Sequence, residues 1–104
     1  MNALKVLRVL TDGYSVKILE ATHEGPKTAI QLSRKYHIPI AACYRRIKWL
    51  EEAGVLTCVD GILGAKERRI GAYTSRFEKA SMFCKKSKMR LKIKLTDGGV
   101  LSFE

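Results

Sequence analysis

The stretch from Thr28 to Leu56, TAIQLSRKYHIPIAACYRRIKWLEEAGVL, constrains the fold of this chain more than any other. It contains two short amphipathic helical patterns on either side of the tight turn His37-Ile38-Pro39. The residue before a proline is pushed out of the α region, whereas proline itself suits a first helical position, so one helix should end here and another begin. Thr28 and Gln31 have capping-box spacing, and Gly54 stands where a glycine commonly ends a helix.

The helix predicted over residues 39–53 has one apolar face and one polar face. Its buried stripe is expected to consist of residues at i, i+3, i+7 and i+10, namely Ile40, Cys43, Ile47 and Leu50. A rotation of about 100° per residue places a second set on the far side, namely Ala41, Tyr44, Arg45 and Lys48. Arg46 falls at the flank. Cys43 is therefore interpreted as a core residue, as a free cysteine often is.

Two helices are predicted before this unit. Asn2 can cap a lead-in helix over residues 2–11, in which Leu4, Leu7 and Leu10 recur at helical spacing. Asp12 can cap a second helix over residues 13–22, which Gly25-Pro26 then stops. Its inward face is expected to carry Tyr14, Ile18, Leu19 and Thr22.

A β-hairpin is predicted after Gly54. Val55 to Asp60 has the composition of a strand, Gly61 to Lys66 that of a loop, and Glu67 to Arg76 that of a returning strand. The hairpin has a basic tip made of Lys66, Arg68 and Arg69. Two helices around a tight turn followed by such a hairpin form a winged helix-turn-helix.

The last 28 residues are predicted to add a small antiparallel sheet. Met89 to Leu95 alternates strictly between apolar and basic residues, which is typical of a half-buried strand. Asp97-Gly98 favours a type I′ turn into Val100–Phe103. Phe77 to Cys84 fits either a helix or a strand, and we favour a strand because residues 85–88 form a natural loop. The sheet is too small to be stable alone, so it must pack on the winged helix or on a second subunit.

The fold class is therefore α+β: a winged helix-turn-helix with a short N-terminal lead-in helix and a C-terminal antiparallel β extension. We place a DNA-binding domain at residues 1–76 and the basic extension at residues 77–104. The formal net charge of +10 suggests an acidic partner, most often nucleic acid or an anionic membrane. Residues 1–75 carry +5 (12 basic, 7 acidic) and residues 76–104 another +5 (8 basic, 3 acidic), so the extension holds half the excess.

Other classes of function find little support in the sequence. No apolar stretch approaches the ~20 residues that a membrane span requires, which predicts a cytoplasmic protein without membrane contact. Three widely spaced cysteines form neither a disulfide framework nor a zinc site. No nucleophile–base arrangement, phosphate loop or carboxylate pair stands out, so we expect no enzyme, no metal and no cofactor.

The helix over residues 39–53 is the candidate reader of duplex DNA. Its N-terminal part would enter the major groove, where small Ala41 and Ala42 allow close approach and can meet a thymine methyl group. Arg45 can fork onto guanine O6 and N7, and Tyr44 can touch a phosphate or a base edge.

Phosphate contacts are expected from the flank of that helix and from the hairpin. The candidates are Arg46, Lys48, Lys66, Arg68 and Arg69. In the extension, Arg90, Lys92 and Lys94 form a row on one strand face. They either contact flanking DNA or blunt an edge strand against aggregation.

Several segments resemble the archaeal ArsR-like winged-helix transcription regulators. They are Leu10–Ala21, Ala29–Ser33, Ile38–Ile47 (IPIAACYRRI), Leu50–Leu56 and Arg69–Ser75. The resemblance implies control of transcription by DNA binding, usually as a homodimer. It implies reading-helix positions for Ala41, Ala42, Tyr44, Arg45 and Arg46, and wing positions for Lys66, Arg68 and Arg69.

Metal sensing by the ArsR-like type is disfavoured in this chain. The metal-sensing members carry a paired-cysteine motif near the start of the reading unit, and here Thr28–Leu32 contains no cysteine. Trp49 is a further departure, since a smaller or polar residue is more usual at that position. Any small-molecule effector stays unspecified.

The sequence thus predicts a homodimeric regulator that binds specific double-stranded DNA. The alternative is a winged-helix module that docks onto proteins of a transcription complex without reading DNA. The salt dependence of duplex binding distinguishes the two hypotheses, because phosphate contacts weaken steeply as the salt concentration rises. On the first hypothesis, a double Arg45→Ala/Arg46→Ala variant should lose duplex binding without unfolding.

Overall fold

The structure, a computed structural model, describes residues 1–63 and 69–104, and the side chains of all these except residues 60–63, 69 and 70. Over that part of the chain there are four helices and six strands. The helices are α1 (Ala3–Thr11), α2 (Gly13–His23), α3 (Ala29–Tyr36) and α4 (Ile40–Glu52). The strands are β1 (Lys27–Thr28), β2 (Leu56–Leu63), β3 (Arg69–Ser75), β4 (Phe77–Lys85), β5 (Lys88–Leu95) and β6 (Val100–Phe103).

Side-chain caps begin the first two helices, as predicted. Asn2 Oδ1 accepts from the Lys5 backbone N–H at 2.9 Å, and Asp12 Oδ2 accepts from the Ser15 N–H at 3.0 Å. Each bond satisfies one of the backbone donors that a helix N-terminus leaves without a partner.

The buried face of α1 is not the leucine row. Ala3, Val6 and Val9 are buried, whereas Leu4 is 57% exposed. The packing of α1 against α2, α4 and β5 decides which face is covered, and helical spacing alone does not reveal it.

The two helices around the turn begin and end close to their predicted positions. The capping box is present: Thr28 Oγ1 accepts from the Gln31 N–H at 3.1 Å, and the Thr28 N–H donates to Gln31 Oε1 at 2.9 Å. His37 ends α3 in the left-handed conformation with φ of 54°. Pro39 is the N-cap of α4 instead of its first helical residue.

The turn residue Ile38, and not Ile40, fills the core at the start of α4. Ile38 is 2% exposed and Ile40 is 44% exposed, so the prediction that Ile40 is buried was wrong. Ser33 fixes the turn, because its hydroxyl donates to the Ile38 carbonyl at 2.6 Å and its carbonyl accepts from the Ile38 N–H at 3.0 Å. The chain therefore enters the core before α4 begins, and Ile40 projects outward from its first turn.

The rest of the predicted α4 stripe is confirmed. Cys43, Ile47 and Leu50 are 2% exposed or less. They pack in one cluster with buried residues of the other three helices. This cluster buries one face of α4 and leaves the opposite face directed outward.

The first sheet has the order β1-β3-β2. Antiparallel β2 and β3 form the predicted hairpin, with Leu56 opposite Ser75. The short strand β1 pairs Thr28 with Ala72, and the sequence did not predict it because two residues carry no periodicity. Strand β2 continues to Leu63, so residues 61–63 are strand where a loop was predicted. The α+β winged-helix class is confirmed.

The second sheet has the order β4-β5-β6, so its strands pair in chain order, and the predicted small antiparallel sheet is confirmed. Phe77–Lys85 is a strand, which confirms the preferred reading of this ambiguous segment. Lys85 pairs with Lys88, and the two turn residues Lys86 and Ser87 have φ of 51° and 64°. Positive φ at both central residues is the type I′ geometry.

The second turn of this sheet is not the predicted type I′ turn. At Asp97-Gly98 only the glycine has positive φ, 89°. The Leu95 N–H donates to the Gly99 carbonyl at 2.8 Å, which makes a three-residue connection. Such connections place a left-handed residue last, and Gly98 occupies that position.

The second sheet packs on the helices of its own chain. Leu91, Ile93 and Leu95 are 3% exposed or less and belong to the same cluster as the helices. Met89 is 50% exposed, so the predicted apolar row is buried only from Leu91 onward. At the end of α4, Gly54 has φ of 85°, and a Cβ there would lie 2.9 Å from Leu101 Cδ1. Glycine is favoured there because a residue with a Cβ rarely adopts this positive φ.

Candidate nucleic-acid interface

Helix α4 presents a polar outer face opposite its buried stripe. Ala41, Arg45 and Lys48 are exposed, and Tyr44 is 51% exposed. These side chains follow one another over two turns of a helix whose inner face is fixed in the core. The orientation that the spacing predicted for them is therefore confirmed, although their contact with DNA stays a prediction.

The two alanines at the start of α4 have different surroundings. Ala41 is exposed, whereas Ala42 is half-buried and packs against the core. The exposed apolar side chain beside Ala41 is Ile40. Sequence reasoning missed Ile40 as a surface residue because it assigned it to the buried stripe.

Arg46 lies in an intramolecular network instead of projecting freely. Its Nε donates to Asp12 Oδ2 at 3.1 Å, and its Nη2 donates to Asp12 Oδ1 at 3.4 Å. The guanidinium carbon lies 4.7 Å from the centroid of the Trp49 ring and 5.6 Å from that of Tyr14. Only 17% of the Arg46 side chain is exposed. Arg46 thus ties α4 to the N-terminus of α2.

The same network controls the ionisation of Asp12. Burial of this carboxyl disfavours its charged form, but favourable effects outweigh the burial, chiefly the hydrogen bond from Arg46, the N–H of Ser15 and the charge of Arg46. Together they place the pKa of Asp12 below its ordinary value. Asp12 therefore caps α2 and orients α4 as a carboxylate.

Cys43 is a packing residue between α4 and α3, as predicted. It is fully buried, its Sγ donates to the Ala29 carbonyl at 3.5 Å, and burial raises the pKa of the thiol. Cys58 and Cys84 are exposed free thiols. Within residues 1–63 and 69–104, no group of three or more His, Cys, Asp or Glu side chains is arranged to hold a metal ion.

The hairpin β2–β3 extends from the C-terminal end of α4. Arg69 is the first residue of β3 and pairs with Leu63. The other two predicted wing residues, Lys66 and Arg68, lie outside the described residues.

Tyr73 is a further candidate that sequence reasoning missed. It is half-buried in β3, opposite Cys58, and packs against the core. Burial raises the pKa of Tyr73, with smaller contributions from Cys58, Glu51 and Tyr44. The phenol is thus a neutral hydrogen-bond donor close to α4. Its position in the predicted returning strand of the hairpin was a signal that the sequence offered.

Comparison with known proteins agrees with this geometry. Residues 3–57 match a family model described as winged helix-turn-helix DNA-binding, which covers the four helices and the start of β2. No curated protein matches the chain. In the part that the structure describes, no helix is both long and apolar enough to cross a membrane.

Proposed function

Because this chain belongs to the winged helix-turn-helix DNA-binding family, we propose that it regulates transcription by reading a specific duplex sequence with α4 in the major groove. The observation that carries the proposal is the two-sided environment of α4. Cys43, Ile47 and Leu50 fix one face in the core, while Ala41 and Arg45 stand free on the other. A rigid helix with exposed donors is what base readout requires, since donors must meet base edges in a fixed register.

The outer residues of α4 divide into base-reading and phosphate-binding groups. Arg45 lies one turn after Ala41 and is proposed to bind guanine O6 and N7 with both arms of its guanidinium. Ala41 and the exposed Ile40 offer apolar contact to a thymine methyl group. Tyr44 and Lys48 are proposed to bind phosphate, which positions the helix without reading sequence.

Arg46 is proposed for a different role from the one first predicted, and Ala42 for only part of its predicted role. Arg46 is proposed as a positioning residue, because its guanidinium is engaged by Asp12 and stacked on Trp49. Ala42, which is half-buried, is proposed to permit close approach of the backbone. In the wing, Lys66, Arg68 and Arg69 are proposed to bind the phosphate backbone.

The resemblance to archaeal ArsR-like regulators further supports a homodimer. Leu4 on the outer face of α1 is 57% exposed, and Met1 is 48% exposed. Exposed apolar side chains at a surface are available for association between copies. Sedimentation analysis of the parent chain and of Leu4→Gln tests this. A monomeric parent would contradict the homodimer.

The test of α4 as the DNA-reading helix compares two substitutions that each remove one arginine and therefore the same charge. Binding sites are first selected from random duplexes with the parent chain, and affinities are then measured for Arg45→Ala and for Arg8→Ala. Arg8 is exposed on α1, outside the proposed interface. A bidentate arginine–guanine contact contributes about 1–3 kcal/mol of discrimination, so Arg45→Ala should weaken the selected site about 5- to 150-fold. Equal affinities for the two variants would contradict the role of Arg45.

A second candidate function is docking onto a protein of a transcription complex. One observation favours it: Ile30 on α3 and Ile40 on α4 are each 44% exposed on the helix-turn-helix unit. Exposed apolar residues of this kind are common in protein interfaces. A docking module would show little affinity for duplex at any salt, whereas phosphate contacts give binding that weakens steeply with salt.

A further inference from the structure

The outer face of the second sheet is densely basic. In β5 the residues alternate with the buried row Leu91, Ile93 and Leu95, and their cross-strand partners in β4 share the same face. This basic sheet face consists of six cations, namely Lys79, Lys85, Lys88, Arg90, Lys92 and Lys94.

The basic residues of β5 do not serve to protect a sheet edge against aggregation. Arg90, Lys92 and Lys94 lie on the central strand of β4-β5-β6, which is paired on both sides. Charges that prevent edge-to-edge aggregation belong on edge strands, where backbone groups are unpaired. The sequence left two interpretations open for these three residues, and the one that assigned them to protecting an edge strand is therefore wrong.

The basic sheet face is directed away from α4. The inner side of β5 packs on the helices, and α1 contacts both β5 and α4. The two faces of a sheet point in opposite directions, so the lysines extend from the side opposite the helical body. A duplex held by these lysines would therefore lie on the opposite side of the sheet from the helices.

Most of this charge is available to a partner. Arg90 Nη2 pairs with Glu104 Oε1 at 2.9 Å, and Lys92 Nζ lies 5.6 Å from the Phe83 ring centroid. Among the residues that the structure describes, the five lysines of this face form no salt bridge. Such a concentration of one sign of charge attracts a polyanion.

We propose that the basic sheet face binds the phosphate backbone of a second duplex DNA segment without reading its sequence. Lysine ammonium groups suit this role, because they act as flexible point charges and lack the planar fork of arginine. A single-stranded partner would favour several aromatic platforms, and Phe83 is the one aromatic residue on the outer side of β4 and β5. One protomer would thus hold two duplex segments on opposite sides.

The main test removes three of the lysines. The sheet variant carries Lys79→Gln, Lys92→Gln and Lys94→Gln, which remove the charge and keep a polar side chain at exposed positions. Each neutralised phosphate contributes about 0.9 to the slope of log affinity against log salt, so three contacts contribute about 2.7. When salt rises from about 50 to about 200 mM, affinity for a random-sequence duplex should fall in both chains. The fall should be about 40-fold larger in the chain that keeps the three lysines than in the sheet variant.

A matched control variant, and measurements made in a variant with a disabled α4, separate the contribution of the basic sheet face from other DNA contacts. The control variant, Lys5→Gln with Arg8→Gln and Lys17→Gln, removes three exposed cations from α1 and α2. All measurements are made in a helix variant, Arg45→Ala with Lys48→Ala, so that residual binding reports on the sheet. We expect residual binding at low salt to survive the control substitutions and to be weakened, with a smaller salt slope, in the sheet variant. Urea denaturation verifies that every variant is folded.

A second measurement uses the unaltered chain. Acetylation of lysines, followed by mass spectrometry, should show that a random-sequence duplex protects Lys85, Lys88, Lys92 and Lys94, while Lys17 stays reactive.

The proposal is overturned if the sheet and control variants bind duplex equally, or if the duplex leaves the sheet lysines unprotected. It is also overturned if the sheet variant loses binding to phosphatidylserine vesicles but not to duplex, since the face would then serve a membrane. Failure of the α4 proposal looks different: the helix variant would keep its affinity for a selected site, while the result for the sheet would be unaffected.

Discussion

The ion pair between Asp12 and Arg46 should stabilise the fold, and a double-mutant cycle measures its contribution. Asp12→Asn removes the charge while keeping a side chain that caps α2 equally well. Arg46→Gln removes the guanidinium and its stacking on Trp49 and Tyr14. The four chains of the cycle separate the energy of the pair from the other effects of each substitution.

The expected magnitude follows from the exposure and geometry of the pair. Hydrogen bonds to charged groups contribute about 1.5–3 kcal/mol, whereas exposed ion pairs contribute about 0.2–1 kcal/mol. The side chains here are 17% and 25% exposed, between these limits, so we expect a coupling energy of about 1 kcal/mol. Arg46→Gln should cost about 2 kcal/mol in total, because it also loses two cation–π contacts of about 0.5 kcal/mol each.

Urea denaturation of the four chains at neutral pH provides the free energies of unfolding. For a chain of this size a change of 1 kcal/mol also moves the melting temperature by about 4–8 °C. A coupling energy near zero, with Arg46→Gln no less stable than the parent, would refute the positioning role of Arg46.

The pH dependence gives an independent check with a definite sign. The pKa of Asp12 in the folded state lies below its ordinary value of 3.8. Its stabilising contribution is therefore present above that value and is lost as the pH falls through the lower, folded-state pKa. The difference in stability between the parent and Asp12→Asn should shrink steadily below about pH 4. An unchanged difference in acid would show that the carboxylate charge is not what stabilises α4.

Two further predictions concern the second sheet and the thiols. Leu91→Ala should lower the free energy of unfolding, measured by urea denaturation, by about 2–5 kcal/mol, because Leu91 is fully buried in the core. Met89→Ala should lower it by about 0.5 kcal/mol or less, because Met89 is exposed. Equal losses would mean that the sheet does not share the core. In the native chain a thiol reagent should modify Cys58 and Cys84 but not Cys43, and modification of all three before unfolding would contradict the burial of Cys43.

The role of Arg46 also corrects the first test of the reading helix. The double Arg45→Ala/Arg46→Ala variant was expected to lose DNA binding without unfolding. Because Arg46 joins α4 to Asp12, the double variant would weaken the fold and the interface together. Arg45→Ala alone is the sharper experiment.

Local rules predicted the helix boundaries well. The caps at Asn2, Asp12 and Thr28 each depend on a side chain and a backbone N–H three residues later, so the sequence contains both partners. The alternation in β5 was equally informative for Leu91 and Ile93, because a strand with one covered face has a period of two. For α4, helical spacing identified its outer face and the burial of Cys43.

Features that depend on contacts between distant segments were missed or misplaced. The exposure of Ile40 depends on Ile38 entering the core first, and the pairing of β1 depends on β3. The Asp12–Arg46 pair joins residues 34 positions apart, and neither residue alone reveals it.

The sequence by itself determined the helix-turn-helix, its caps, the second sheet and the concentration of charge, because these follow from short-range spacing and from composition. Only the tertiary structure decided what each charge does. It paired Arg46 with Asp12 while Arg45 stayed exposed, and it packed β5 on the helices so that its lysines face away from them. The physical reason is that burial and pairing depend on which surfaces meet in space. Sequence periodicity identifies the apolar and polar faces of a helix or strand, but it does not identify the element that packs against each face.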